Sequence, residues 1–153
     1  MDVTSLKFGI PEIELTSISG VKINPSSFAG HELVIVFCPN ERAAAAKEID
    51  LYQRHCPDFV ERDAWILAFS EHGNEATIDG PGRILTIPDT DRQAWSAFRD
   101  LADRPEALDR ALGATFLFTR GGNLHRYWPG SEHVDEVLSE LKDPSVEHAA
   151  ANR

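Results

Sequence analysis

The sequence predicts a single α/β domain with a mixed central β-sheet and helices on both of its faces. Three observations predict it. Leu33-Val34-Ile35-Val36-Phe37 is an unbroken apolar run, the pattern of a strand covered on both sides. A helical stretch from about Arg42 to His55 and a second apolar strand, Trp65-Ile66-Leu67-Ala68-Phe69, follow it, which makes a right-handed βαβ unit. Thr115–Thr119 and Leu124–Trp128 then flank Gly121-Gly122, an antiparallel hairpin signal. A parallel unit and an antiparallel hairpin can share one sheet only if that sheet is mixed.

Taken in order, Ile13-Glu14-Leu15 and Val21-Lys22-Ile23 alternate around Ser17-Ile18-Ser19-Gly20 and form a small hairpin. Pro25-Ser26-Ser27 caps a one-turn segment that carries Phe28 and ends at Gly30. The helix from Arg42 takes Ile49, Leu51 and Tyr52 as its apolar stripe, with Arg54 and His55 well placed near its C-terminus. Ser70 to Gly82 is a loop. Arg83 to Ile87 is a short strand ended by Pro88 and Asp89. Asp91 to about Leu112 is helical in two pieces broken by Pro105; Trp95, Phe98 and Leu101 share one face, followed by Leu108 and Leu112. Ser131 can N-cap a last helix with Val134, Val137, Leu138 and Leu141 inward. The domain spans residues 1–142, and 143–153 form a frayed tail.

Composition narrows the function. A formal net charge of −10 argues against nucleic acid or an anionic membrane as partner, because both call for basic patches. No apolar run is long enough to span a bilayer, and Met1 to Lys7 lacks the basic-then-apolar pattern of a secretion signal. Two cysteines without such a signal suggest reduced thiols in a cytoplasmic protein. The six histidines, among them His72 and His148, are scattered, so no metal or cofactor site is expected.

The chemistry concentrates at Cys38-Pro39-Asn40-Glu41-Arg42, where a strand end, a turn and a helix N-terminus meet. Cys38 is the one candidate nucleophile. Pro39, Asn40, Arg42 and Thr115 are candidate binding residues: Asn40 can cap the helix, Arg42 is the cation nearest in sequence, and Thr115 would face the junction. The thiolate, not the thiol, is the nucleophile. Cys38 precedes the turn and receives less help from the helix dipole than a first-turn residue would. Its side chain points either to the rim or, by strand alternation, into the core. Both readings stay open from sequence. Cys56 is a poor disulfide partner, since about fourteen helical residues carry the chain roughly 20 Å, and a disulfide needs Cα atoms within about 7 Å.

Three stretches together resemble the peroxiredoxin group (AhpC/TSA and redoxin-type proteins) of the thioredoxin superfamily. They are Pro11 to Leu15 with Gly20 to Ile23 and Phe28-Ala29-Gly30; Val34 to Pro39; and Ala114 to Phe118 with Gly121 to Gly130. The resemblance implies a thioredoxin-like fold and membership of the thiol-redox, antioxidant class. It also implies an external thiol reductant, glutathione or a thioredoxin, and a homodimer. The chemistry departs from the family. Its pattern runs from a proline to a threonine or serine and on to the peroxidatic cysteine; counted from Pro39, those positions hold Ala43 and Ala46. Its arginine ahead of the late hairpin falls at Gly113, with Arg110 nearby but out of register, and the cis-proline position of a thioredoxin-style site falls at Ala114. Two functions follow: a thiol-dependent peroxidase or oxidoreductase using Cys38, with a lost or weakened peroxidatic centre, or a non-catalytic module on the same fold that binds a small molecule or protein.

Overall fold

The computed structural model describes residues 9–71, 83–88 and 93–141. A short hairpin, β1 (Leu15–Thr16) and β2 (Lys22–Ile23), opens the chain, with Leu15 opposite Ile23. A 3-10 turn over Pro25–Phe28 follows, capped by the Asn24 side chain, which accepts from the Ser26 N–H. Then come β3 (Glu32–Phe37), α1 (Arg42–Arg54), α2 (Cys56–Glu61), β4 (Ala64–Ser70) and β5 (Ile84–Pro88). The chain continues with α3 (Gln93–Arg99), β6 (Ala114–Phe118), β7 (Leu124–Pro129) and α4 (Val134–Glu140).

Five strands form one sheet in the order β5-β4-β3-β6-β7. β3 pairs parallel with β4, and β4 with β5. β6 runs antiparallel to β3, and β7 to β6. The mixed sheet expected from sequence is therefore present, with the apolar run 33–37 at its centre.

Alternation along β3 sorts the core into two layers. Leu33, Ile35 and Phe37 pack with Trp95 and Phe98 of α3. Val34, Val36 and Cys38 pack with Ala45, Ile49 and Tyr52 of α1, Phe59 of α2, and Val134 and Val137 of α4. Helices thus cover both faces. The Phe37 ring is the hub of the first layer. It stacks on Phe69 at 4.8 Å between centroids and meets Trp95 edge-on at 5.1 Å, geometries that aromatic quadrupoles favour.

Several expectations need correction. The helix starting at Arg42 does not run through His55: it ends at Arg54, and Cys56-Pro57 opens a second helix with proline at its first turn, where the missing N–H costs nothing. The segment expected to be helical as far as Leu112 is helical only over Gln93–Arg99, with a 3-10 turn at Pro105–Ala107. Arg104, held at φ −130° ahead of Pro105, cannot continue a helix. Leu112 consequently lies exposed, while Trp95, Phe98, Leu101 and Leu108 are buried as expected. Ser131 does not cap the last helix. Glu132 takes a left-handed φ of 65°, so the helix begins at Val134 behind His133. Ser70 closes β4 and Pro88 closes β5. The expected loop from 72 to 82, Asp89, the helix start at Asp91 and the tail from 143 lie outside the described residues.

Candidate functional site at the end of the central strand

β3 ends at Phe37, but its pairing runs one residue further: the Cys38 N–H donates to the Phe69 carbonyl at 2.9 Å. Strand alternation therefore still governs Cys38, and its thiol enters the layer beneath α1. The residue is fully buried. Burial pushes the thiol pKa up to about 12, the Glu48 carboxylate adds to the rise, and the Arg110 charge only partly opposes it. Desolvation disfavours the charged form more than one guanidinium restores. Cys38 is a protonated core thiol across the physiological range.

Pro39 is buried and Asn40 half-buried. The Asn40 N–H donates to the Ala111 carbonyl at 2.9 Å, tying the junction to the segment ahead of β6. Helix α1 is capped by Glu41, not by the Asn40 side chain. The Glu41 carboxylate accepts from the N–H groups of Ala43 at 3.1 Å and Ala44 at 2.8 Å. Two donors of the first turn, which could otherwise hold a thiolate or an anion, are thus met by the chain's own carboxylate. Arg42, Ala43 and Ala46 are exposed, whereas Ala45 is buried against the sheet.

Arg110 enters the junction from the other layer. It is buried, donates to the Cys38 carbonyl at 2.5 Å, and lies over the rings of Phe37 at 5.4 Å and Trp95 at 6.0 Å. The cation therefore serves the Cys38 backbone, on the sheet face opposite the sulfur. Gly113 completes the geometry. Its φ is +88°, and a Cβ there would stand 2.5 Å from the Phe37 carbonyl oxygen. The backbone at Gly113 admits no side chain without a shift.

Thr115 sits opposite Val36 on one side and Trp128 on the other, which places it under α1. It is fully buried. On α1, Glu48 and Tyr52 lie one turn apart on the same buried face. Both Glu48 oxygens accept the Glu132 N–H, at 3.2 and 2.9 Å. Burial raises the Glu48 pKa above its usual value, against the Glu132 N–H and the His133 and Lys47 charges. Burial and the Glu48 charge likewise raise the Tyr52 phenol.

The five residues singled out in the sequence thus do not meet in an open cleft. Cys38 and Thr115 share the α1 layer, Pro39 and Asn40 fill the turn, and Arg42 points to solvent. Sequence reasoning missed the roles of Glu41, Glu48 and Gly113. Glu41 carried a signal, an acid directly ahead of an alanine-rich helix; Gly113 carried one only in its glycine identity. Cys56 is buried and, like Cys38, a free thiol. Two surface grooves lie elsewhere, one lined by Ile10, Pro11, Ala97 and Leu101, the other by Asp103, Leu124 and Tyr127. Among the described residues no His, Cys, Asp or Glu cluster could hold a metal ion, and no helix is long and apolar enough to cross a membrane.

Strand order, mixed pairing and a cysteine-proline junction running into α1 define a thioredoxin-type fold. In particular, the fold is similar to that of solved peroxiredoxins. It superposes on the mitochondrial 2-Cys peroxiredoxin of Plasmodium falciparum with a TM-score of 0.66 at 18% identity, covering 95% of each chain. The bacterioferritin comigratory protein of Xanthomonas campestris gives 0.66 at 21%, covering 90% of this chain and 92% of that one. Yeast mitochondrial 1-Cys peroxiredoxin gives 0.65 at 15%, covering 85% and 71%. At these identities the likeness establishes architecture. No family model matches the sequence, and no curated protein matches it significantly.

Proposed function

We propose that this chain is a peroxiredoxin-like protein of the thiol-redox, antioxidant class that has lost its peroxidatic centre. On this reading it is a cytoplasmic module that binds a small molecule or protein partner and does not turn over peroxide. One observation carries the proposal: Cys38 is fully buried and its thiol is pushed up to about 12, whereas a nucleophilic cysteine needs an accessible thiolate. Cys56, the only other cysteine in the sequence, is also buried. The alanine at the family's cysteine position, the Glu41 carboxylate on the helix N-terminus and the closed backbone at Gly113 support the same reading.

The test is iodoacetamide labelling of the native protein from pH 6 to pH 9, run beside a peroxide-consumption assay with dithiothreitol as reductant. Cys38 is expected to stay unlabelled until denaturant is added, and peroxide to decay at the no-protein rate. Rapid labelling near pH 6, with peroxide consumption that disappears in Cys38→Ser, would establish the oxidoreductase reading instead. Glutathione and thioredoxin would then be the reductants to try.

A further inference from the structure

The layer beneath α1 contains more polar chemistry than its packing satisfies. The Tyr52 hydroxyl, the Thr115 hydroxyl and the Trp128 indole N–H are all buried, and none closes a hydrogen bond with a protein group. Tyr52 is 1% exposed, Thr115 0% and Trp128 4%, so bulk water does not reach them. Leaving such a group unpaired in a dry interior is costly, and three at random in one layer would weigh heavily on a domain of this size.

They are not at random. Thr115 and Trp128 are cross-strand partners on β6 and β7, and cross-strand partners project to the same face of a sheet. Val36, the partner of Thr115 on β3, belongs to the α1 layer, as do Trp128 and Tyr52. Tyr52 reaches the same layer from the helix, in the cluster that holds Cys38 and one turn from Glu48. Both hydroxyls lie in this layer, and neither has a partner within hydrogen-bonding geometry. Glu48, one helical turn away, spends both its oxygens on Glu132.

We propose that this gap is an internal hydration site, in which at least one ordered water bridges the Tyr52 and Thr115 hydroxyls, with the Trp128 indole N–H as a further donor. Buried waters typically make two to four hydrogen bonds to groups that would otherwise be unsatisfied. Two hydroxyls that each donate or accept, plus one obligate donor, supply that number. The water ties α1 to the β6–β7 hairpin beside the Cys38 thiol. It makes the interior of this domain wet at the point where the fold would otherwise pack apolar side chains.

Two measurements test it. A high-resolution crystal structure of the unmodified chain should show water density within about 3.2 Å of at least two of the three atoms. Oxygen-17 magnetic relaxation dispersion should detect a long-lived internal water in the wild type that is lost in Thr115→Val, a near-isosteric change that removes one hydroxyl. Clear maps with no water there, a direct Tyr52–Thr115 hydrogen bond, or a dispersion signal undiminished in Thr115→Val would each overturn the proposal. If Thr115→Val does not fold, the wild-type density alone is decisive: water on two of the three atoms supports the site, and its absence removes it.

Discussion

Arg110 and Cys38 meet through the backbone and not through the sulfur: the guanidinium donates to the Cys38 carbonyl while the thiol points to the opposite face of the sheet. A cation at the end of the central strand has thereby become a structural clamp. Removing it leaves the carbonyl of a buried strand end without its donor. Hydrogen bonds from charged donors contribute about 1.5–3 kcal/mol each, so Arg110→Met should lower unfolding free energy by about that amount in urea titration. Native-state labelling of Cys38 should remain absent in this variant. A variant as stable as the parent would contradict the clamp.

Gly113 stands where the backbone leaves no room for a side chain. A side chain at φ +88° is strained, and its Cβ would overlap the Phe37 carbonyl oxygen. Gly113→Ala should therefore cost more than about 2 kcal/mol, beyond the ordinary left-handed penalty. Gly113→Arg should be no more active toward peroxide than the parent. Thermal unfolding of Gly113→Ala within a degree of wild type would show that the backbone relaxes and that the position is open after all.

Ala46 offers the complementary test. It is exposed on α1, past the first turn, and the Ala43 and Ala44 donors are already taken by Glu41. The dipole effect fades beyond the first turn. Ala46→Cys should label readily with iodoacetamide in the folded protein, unlike Cys38, yet react with hydrogen peroxide no faster than a free alkyl thiol. Peroxide reduction well above that rate would mean that the surroundings still activate a thiol.

Glu48 should make stability depend on pH in an unusual direction for a carboxylate. Its folded-state pKa is raised above the usual 4.5, so as pH climbs past that value the unfolded chain releases the proton first. Folding then loses stability until the pH passes the folded-state value. Glu48→Gln keeps an acceptor for the Glu132 N–H and removes the titration. The unfolding free energy of wild type minus that of Glu48→Gln should fall between pH 4 and pH 7. A difference that rises with pH would mean that the carboxyl is ionised in the fold and stabilised there.

The sequence by itself determined the architecture. The apolar run 33–37, the strand 65–69 and the glycine-hinged hairpin 115–128 carry period and length signals strong enough to specify a mixed sheet. Alanines at 43 and 46 stand where the resemblance would place a threonine or serine and a cysteine. Boundaries read less well: the break at Pro105 was legible, but the first helical piece ended already at Arg99 and the second shrank to a 3-10 turn over Pro105–Ala107. Only the tertiary structure decided which way Cys38 faces. That depends on one extra strand bond to Phe69, made across a parallel pairing distant in sequence. It also decided that Arg110 reaches Cys38 through the backbone, on the face opposite the sulfur, that Glu41 caps α1, and that Glu48, Tyr52 and Thr115 are buried beneath that helix. Burial and electrostatics arise where separate segments converge, and a linear pattern holds no record of that convergence.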